Sequence, residues 1–228
     1  MPGTCITPAE LLGPLNEVEK KHSPRELFVA GDVSLASKGA RVAIVGSRSA
    51  SADGLKRARK LASLLTGRGV VVVSGLAEGI DAAAHTAAIE SGGKTIAVLG
   101  TPLDECFPAK HRALQARIMA EHLAVTQFGP GQRLGARAFP MRNRTMALIA
   151  DATVIVEAGE RSGTVHQGRE ALRLGRPLYI LDSLARAGHA WIVELQHHGA
   201  LVLSDKTKDL FLESLPAESR AERIAASF

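Results

Sequence analysis

The amino-acid sequence predicts an α/β fold built on a doubly wound, mostly parallel sheet with helices on both faces. Three observations predict it. Short apolar runs rich in β-branched residues, Val42 to Val45, Val70 to Val73 and Thr153 to Val156, suit strands buried on both faces. Each run stops at a turn that carries glycine, and each turn leads into residues at helical spacing. Strands alternating with helices imply right-handed crossovers and parallel pairing.

The elements follow in order. Between Pro8 and Val18, Leu11, Leu12, Leu15 and Val18 can share one helical face, and residues 1–26 read as an N-terminal appendage. Leu27 to Leu35 is a short strand ending at the Gly31-Asp32 turn. Val42 to Val45 comes next, broken by Gly46-Ser47-Arg48. A helix over 55–66 follows, with Leu55, Ala58, Leu61, Ala62 and Leu65 on one face and Gly67 and Gly69 behind it. After Val70 to Val73, the turn 74–81 opens an alanine-rich helix that ends near Gly92-Gly93, and Lys94 to Leu99 is the next strand. A helix over 110–121 and a strand over 123–126 precede F-G-P-G-Q-R-L-G-A-R-A-F-P, whose three Gly and two Pro predict an irregular crossing. Met141 opens a helix toward Ala150, and Asp151 leads into the strand 153–156. The turn 157–164, a helix to about Leu174, a strand over 177–181, a covering helix over 191–198 and an edge strand over 201–203 complete the domain 27–204. Residues 205–228 read as a helical tail, too short for a winged-helix domain.

Composition narrows the function classes. With 228 residues, 46% of them hydrophobic, the chain can bury a sizeable core, which argues against disorder. The two cysteines, Cys5 and Cys106, lack metal or disulfide spacing, so reduced thiols and a cytoplasmic location are expected. No apolar run is long enough to span a bilayer, and neither a metal site nor a cofactor is expected. A net charge of +5 and a pI near 9.5 favour an anionic partner such as nucleic acid. The turn Gly46-Ser47-Arg48 has the chemistry for one: a glycine that admits close approach, a hydroxyl and a permanent cation ahead of a helix N-terminus. In a parallel sheet, ligands bind beyond the carboxyl ends of the strands. That rule gathers the turns at 46–48, 74–79 and 100–104 on one rim.

Several motifs in fixed order, R-V-A-I-V-G-S-R, V-V-S-G-L-A-E-G-I-D-A-A-A-H, G-G-K-T-I-A-V-L-G, L-D-E-C-F-P and F-P-M-R-N-R, resemble the extended Rossmann-like domain of the DNA-processing protein A (DprA/Smf) family. The resemblance covers residues 27–203. It implies a protein without enzymatic turnover that binds single-stranded DNA, helps load the recombinase RecA in natural transformation and recombination, and forms homodimers. The residues agree with that reading. Arg48, Arg142 and Arg144 supply cations at the rim; Ser47, Ser74, Gly46, Gly75 and Gly79 offer hydroxyls and close backbone amides to phosphate. Phe139 offers a stacking face, and Asn143 can hold a nucleotide. The resemblance also puts Lys94 on DNA, whereas its place at the start of a strand puts it at the opposite end of the sheet.

Plainer readings stand beside these. The glycines equally serve as turns that any doubly wound sheet needs, Asp81 and His85 read as capping and packing, and Phe139 reads also as a core plug. Residues 142–164 further resemble nucleotide phosphoribohydrolases of the lysine decarboxylase-like group. The catalytic glutamate positions of that group fall on His166 and Gln167, which makes a hydrolase the weaker alternative. A sensor binding a nucleotide signal in the same rim is a further alternative. The chain departs from the DprA pattern at Thr126 to Gly131 and at Asp182-Ser183.

Overall fold

The computed structural model describes residues 3–132, 135, 137–160, 162–217 and 222. The expected fold is present. From β3 (Arg41–Gly46) the chain runs through α3 (Ala52–Thr66), β4 (Val71–Ser74), α4 (Ile80–Glu90), β5 (Thr95–Val98) and α5 (Arg112–Glu121) to β6 (Leu123–Thr126). It then crosses back through α6 (Ala138–Ile149) to β7 (Ala152–Glu157), α7 (Gly163–Arg173), β8 (Leu178–Leu181), α8 (Asp182–Ala185), α9 (Ala190–His197) and β9 (Leu201–Leu203). β3 to β9 form a parallel array in the order β6-β5-β4-β3-β7-β8-β9. The winding direction therefore reverses between β3 and β7, which is the switch point where such sheets open a crevice.

Each strand serves two cores. In β3, Ala43 and Val45 face one apolar layer and Val42 and Ile44 the other, as the two-residue period of a strand requires. Helix α3 starts at Ala52, earlier than its apolar spacing indicates, because the Ser51 side chain accepts from the Gly54 amide at 3.0 Å. Its Ala58, Leu61, Ala62 and Leu65 are buried as expected.

Three features were not legible as such. The segment read as an appendage supplies β1 (Thr4–Ile6), α1 (Pro8–Leu12) and α2 (Glu17–His22), and β1 pairs with β2 (Leu27–Gly31), which itself pairs antiparallel with β6. Leu11 and Leu12 join the main core, and the buried Glu19 carboxylate lies 2.5 Å from Arg176. The second feature is α6, which begins at Ala138, so Phe139 and Pro140 belong to its first turn; proline is tolerated there because its missing N–H has no helical partner to lose. The third is a buried Arg41–Asp151 pair, with Nε to Oδ2 at 3.0 Å and Nη2 to Oδ1 at 2.9 Å, which ties the starts of β3 and β7 together. In the C-terminal part, α10 (Lys208–Glu213) packs Phe211 and Leu212 onto the core; most of the expected tail after residue 217 lies outside the described residues. No helix among the described residues is long and apolar enough to cross a membrane.

Candidate functional site

At the carboxyl ends of the strands, three loops meet at very short range. A Cβ on Gly46 would lie 2.5 Å from Ile80 Cγ1 and 2.8 Å from the Glu157 carbonyl oxygen, so only glycine lets β3 end against both neighbours. The Ser47 amide donates to Glu157 O at 2.7 Å, and Ser47 O accepts from the Ile80 amide at 3.2 Å. Gly79, at φ 73°, sits against the carbonyls of Ser47 and Arg48, where any side chain would collide. These contacts fix the backbone from which Arg48 projects. The glycines therefore act mainly by packing the loops together.

The exposed Arg48 guanidinium lies 4.9 Å above the Phe139 ring, within cation–π range. Phe139 in turn meets Phe107, ring centre to ring centre 5.8 Å with the planes tilted by 50°. Phe107 is 58% exposed, so beyond its contact with Phe139 much of the ring faces solvent. Arg48, Phe139 and Phe107 thus form a row of one planar cation and two rings along the rim. Phe107, in the loop after β5, is the site residue that sequence reasoning missed. The L-D-E-C-F-P motif that holds it carries no local signal that the ring is left exposed beside Phe139.

The other expected site residues divide. Ser74 is fully buried and donates to Ile44 O at 2.7 Å, so its hydroxyl serves the sheet and not a ligand. Arg142 is also buried. Its Nη1 donates to Gly75 O and, at 3.1 Å, to Val98 O, so it bridges the ends of β4 and β5. Gly75 must be glycine because a Cβ would overlap that guanidinium. Burial pushes the Arg142 pKa down and that of its neighbour Asp81 up, and each charge partly offsets the shift of the other. Asp81, in the first turn of α4, accepts from the amides of Gly75 at 3.2 Å and Ala77 at 3.4 Å, so it ties down the preceding turn and does not cap the helix, whose N-cap Gly79 makes no side-chain hydrogen bond. His85 is buried against Thr95 Oγ1 at 2.7 Å, its pKa lowered to about 3 by desolvation.

Arg144 pairs with α7, its Nε 3.2 Å from the buried Glu170 carboxylate, while its own side chain stays 39% exposed. Asn143 donates to Gly163 O at 3.2 Å and so joins α6 to the start of α7. Lys94 stands at the amino end of β5, with Nζ donating to Glu121 O at 3.2 Å. It is at the end of the sheet remote from Arg48, because a parallel strand has its first and last residues on opposite edges.

Between the loops lies a cavity of about 570 Å³ at the β3/β7 switch point. Ser47, Arg48, Phe139 and Arg142 line one side, and Ser162, Gly163, Thr164 and Gln167 from the start of α7 line the other. A helix N-terminus beside a fixed cation favours an anion. A smaller hollow of about 180 Å³ under Phe107 and Phe139 continues the surface past Arg48 toward Gly100 and Thr101.

Among the carboxylates considered for a hydrolase, Glu157 accepts from the Ser51 amide at 2.8 Å and the Ser51 hydroxyl at 2.5 Å. Glu170 is held by Arg144 and Arg173. Neither lines the cavity.

Comparison with known proteins agrees with this fold. The family model described as DNA recombination-mediator protein A matches residues 6–213. DNA processing protein DprA of Streptococcus pneumoniae R6 is 41% identical over 177 residues, 75% of this chain and 62% of that protein. The chain therefore spans less than two thirds of that relative's length. The X-ray structure of DprA from S. pneumoniae superposes with a TM-score of 0.76 at 33% identity, covering 92% of this chain and 74% of that one. A structure of DNA processing protein A from Helicobacter pylori, described for its single-stranded DNA binding mode, has a TM-score of 0.76 at 25% identity over 94% of this chain and 97% of its own. The match over nearly the whole described chain, together with the shared fold, shows that this chain belongs to the DNA recombination-mediator protein A (DprA/Smf) family.

Proposed function

We propose that the protein binds single-stranded DNA along the rim without sequence preference and serves DNA uptake and recombination in the cytoplasm. The observation that carries this reading is the row Arg48–Phe139–Phe107. Rings stack on any base, so such a platform holds a strand without reading it, and an adjacent guanidinium meets the phosphates. A duplex hides its base faces and cannot use the rings. The single-stranded DNA binding ascribed to the H. pylori relative supports the same assignment.

Family membership further supports a homodimer that hands its strand to a RecA-type recombinase. The reading involves no turnover: Glu157 is bound to Ser51, Glu160 to His189 and Glu170 to arginines, and none of them lines the cavity. Titration of a labelled oligo-dT by fluorescence anisotropy at several salt concentrations tests it. Affinity should fall as salt rises, with log K dropping by about 0.7 per phosphate contact. Binding that is absent, or indifferent to salt, would refute the proposal. Sustained release of base from nucleoside monophosphates would reinstate the hydrolase.

A further inference from the structure

One wall of the switch-point cavity is unused by the rim platform. Gln167, in α7, is 1% exposed and lines the cavity, yet neither its Oε1 nor its Nε2 has a hydrogen-bond partner within the protein. Side chains on a helix lean toward its N-terminus. The carboxamide is therefore carried toward Ser162, Gly163 and Thr164, on the cavity side. Both ends of a buried amide left open are rare, since each unmet group costs about 1–3 kcal/mol. Three neighbouring polar side chains are engaged. Asp81 holds two backbone amides, the Ser162 hydroxyl is bonded to Thr164, and Asn143 is bonded to Gly163. Arg142 keeps one open donor, Nε, on the opposite wall, and His166 Nδ1, beside Gln167, also has no hydrogen-bond partner.

A carboxamide presents one donor and one acceptor side by side. Its natural complement is a planar group that presents the reverse pair. The Watson–Crick edge of every base does so: N6–H and N1 in adenine, N4–H and N3 in cytosine, N1–H and O6 in guanine, N3–H and O4 in thymine. Turning the amide by 180° about its last torsion exchanges donor and acceptor, so one glutamine can satisfy either polarity. A cavity of about 570 Å³ falls within the range of small-ligand pockets, about 300–1,000 Å³, and has room for one nucleotide.

We propose that Gln167 pairs with the Watson–Crick edge of one base turned into the switch-point cavity, and thereby makes the site demand an unpaired strand. This rests on the single-stranded DNA reading above and adds to it a residue that sets strandedness. In a duplex the same edge is occupied by the partner base, so the Gln167 amide stays unmet. Discrimination then falls on strandedness and not on sequence, because all four bases satisfy the amide.

The test compares oligo-dT with the same strand carrying N3-methylthymidine, which keeps the ring face and phosphates but blocks the pairing edge. The full chain should bind the methylated strand roughly tenfold more weakly, the scale of one or two hydrogen bonds. Gln167→Leu should bind oligo-dT with a similar loss, be indifferent to methylation, keep the salt slope of the parent, and lose the same factor from its preference for single strand over duplex. A parent protein that binds both strands equally overturns the inference with no variant needed, so a misfolded Gln167→Leu does not blunt the test. A variant that is weakened but still senses methylation also overturns it. If the parent shows no salt-sensitive binding to either strand, the DNA-binding reading itself fails; if it binds both strands with equal salt-sensitive affinity, only the role of Gln167 fails.

Discussion

Replacing Phe107 with alanine separates stacking from charge on the rim. The ring is 58% exposed and its aromatic contact is with Phe139, so truncation should change folding stability by no more than about 0.5 kcal/mol, as for most surface positions. If a base stacks there, its loss costs about 1–3 kcal/mol of binding, or roughly 5- to 150-fold in Kd. The charge of the rim is untouched, so the slope of log K against log salt should stay that of the parent. Arg48→Ala is the converse. It removes one phosphate contact and should flatten that slope by about 0.7, and it also removes the cation from the Phe139 face, worth about 0.5–1 kcal/mol at an exposed site. Anisotropy titrations of both variants and the double variant at three or more salt concentrations give affinity and slope together. Because Arg48 and Phe107 both border Phe139, the double variant should lose less than the sum of the single losses. The reasoning is refuted if Phe107→Ala binds oligo-dT like the parent, or if it alters the salt slope while Arg48→Ala does not.

Arg142→Leu should act on folding, since it strips the bridge between Gly75 O and Val98 O and leaves the buried Asp81 without its compensating cation; a loss of about 3–5 kcal/mol in urea unfolding is expected, against little change if the residue were only a surface phosphate contact. Gly79→Ala forces a side chain into a backbone at φ 73° against Ser47 and Arg48, at about 1–2 kcal/mol of strain, and should weaken DNA binding by displacing the Arg48 loop even though residue 79 carries no ligand group. His85 has a folded pKa near 3 against an ordinary value of 6.5, so between those values the unfolded chain binds more protons than the native one and stability falls as pH falls. Urea unfolding from pH 7 to pH 4 should show this slope, and His85→Gln should flatten it; an unchanged slope would assign the effect elsewhere.

The sequence by itself determined the strand and helix alternation, and thus the parallel sheet, because β-branched runs of four or five residues bounded by glycine turns have few other stable uses. It also determined which end of the sheet carries the loops, and therefore that Arg48 stands on the ligand-facing rim; for Lys94, strand direction and the family resemblance disagreed, and only the structure set it at the amino end of β5. What it left open was the direction of each side chain. Arg142, Arg144 and Asn143 share one short stretch and one chemistry, yet a helix turns them by about 100° per residue. Arg142 therefore enters the interior, Arg144 reaches Glu170, and Asn143 joins α7.

Only the tertiary structure placed the switch point between β3 and β7, since strand order depends on contacts between residues more than a hundred positions apart. The same long-range assembly sets Phe107 beside Phe139, across thirty-one intervening residues, and leaves the ring exposed. It also leaves the Gln167 amide buried without a partner, at a position where the sequence showed only that a catalytic carboxylate was missing. Burial and partnership are properties of the packed core, not of local spacing, so the residue types on the rim were legible while their burial and partners were not.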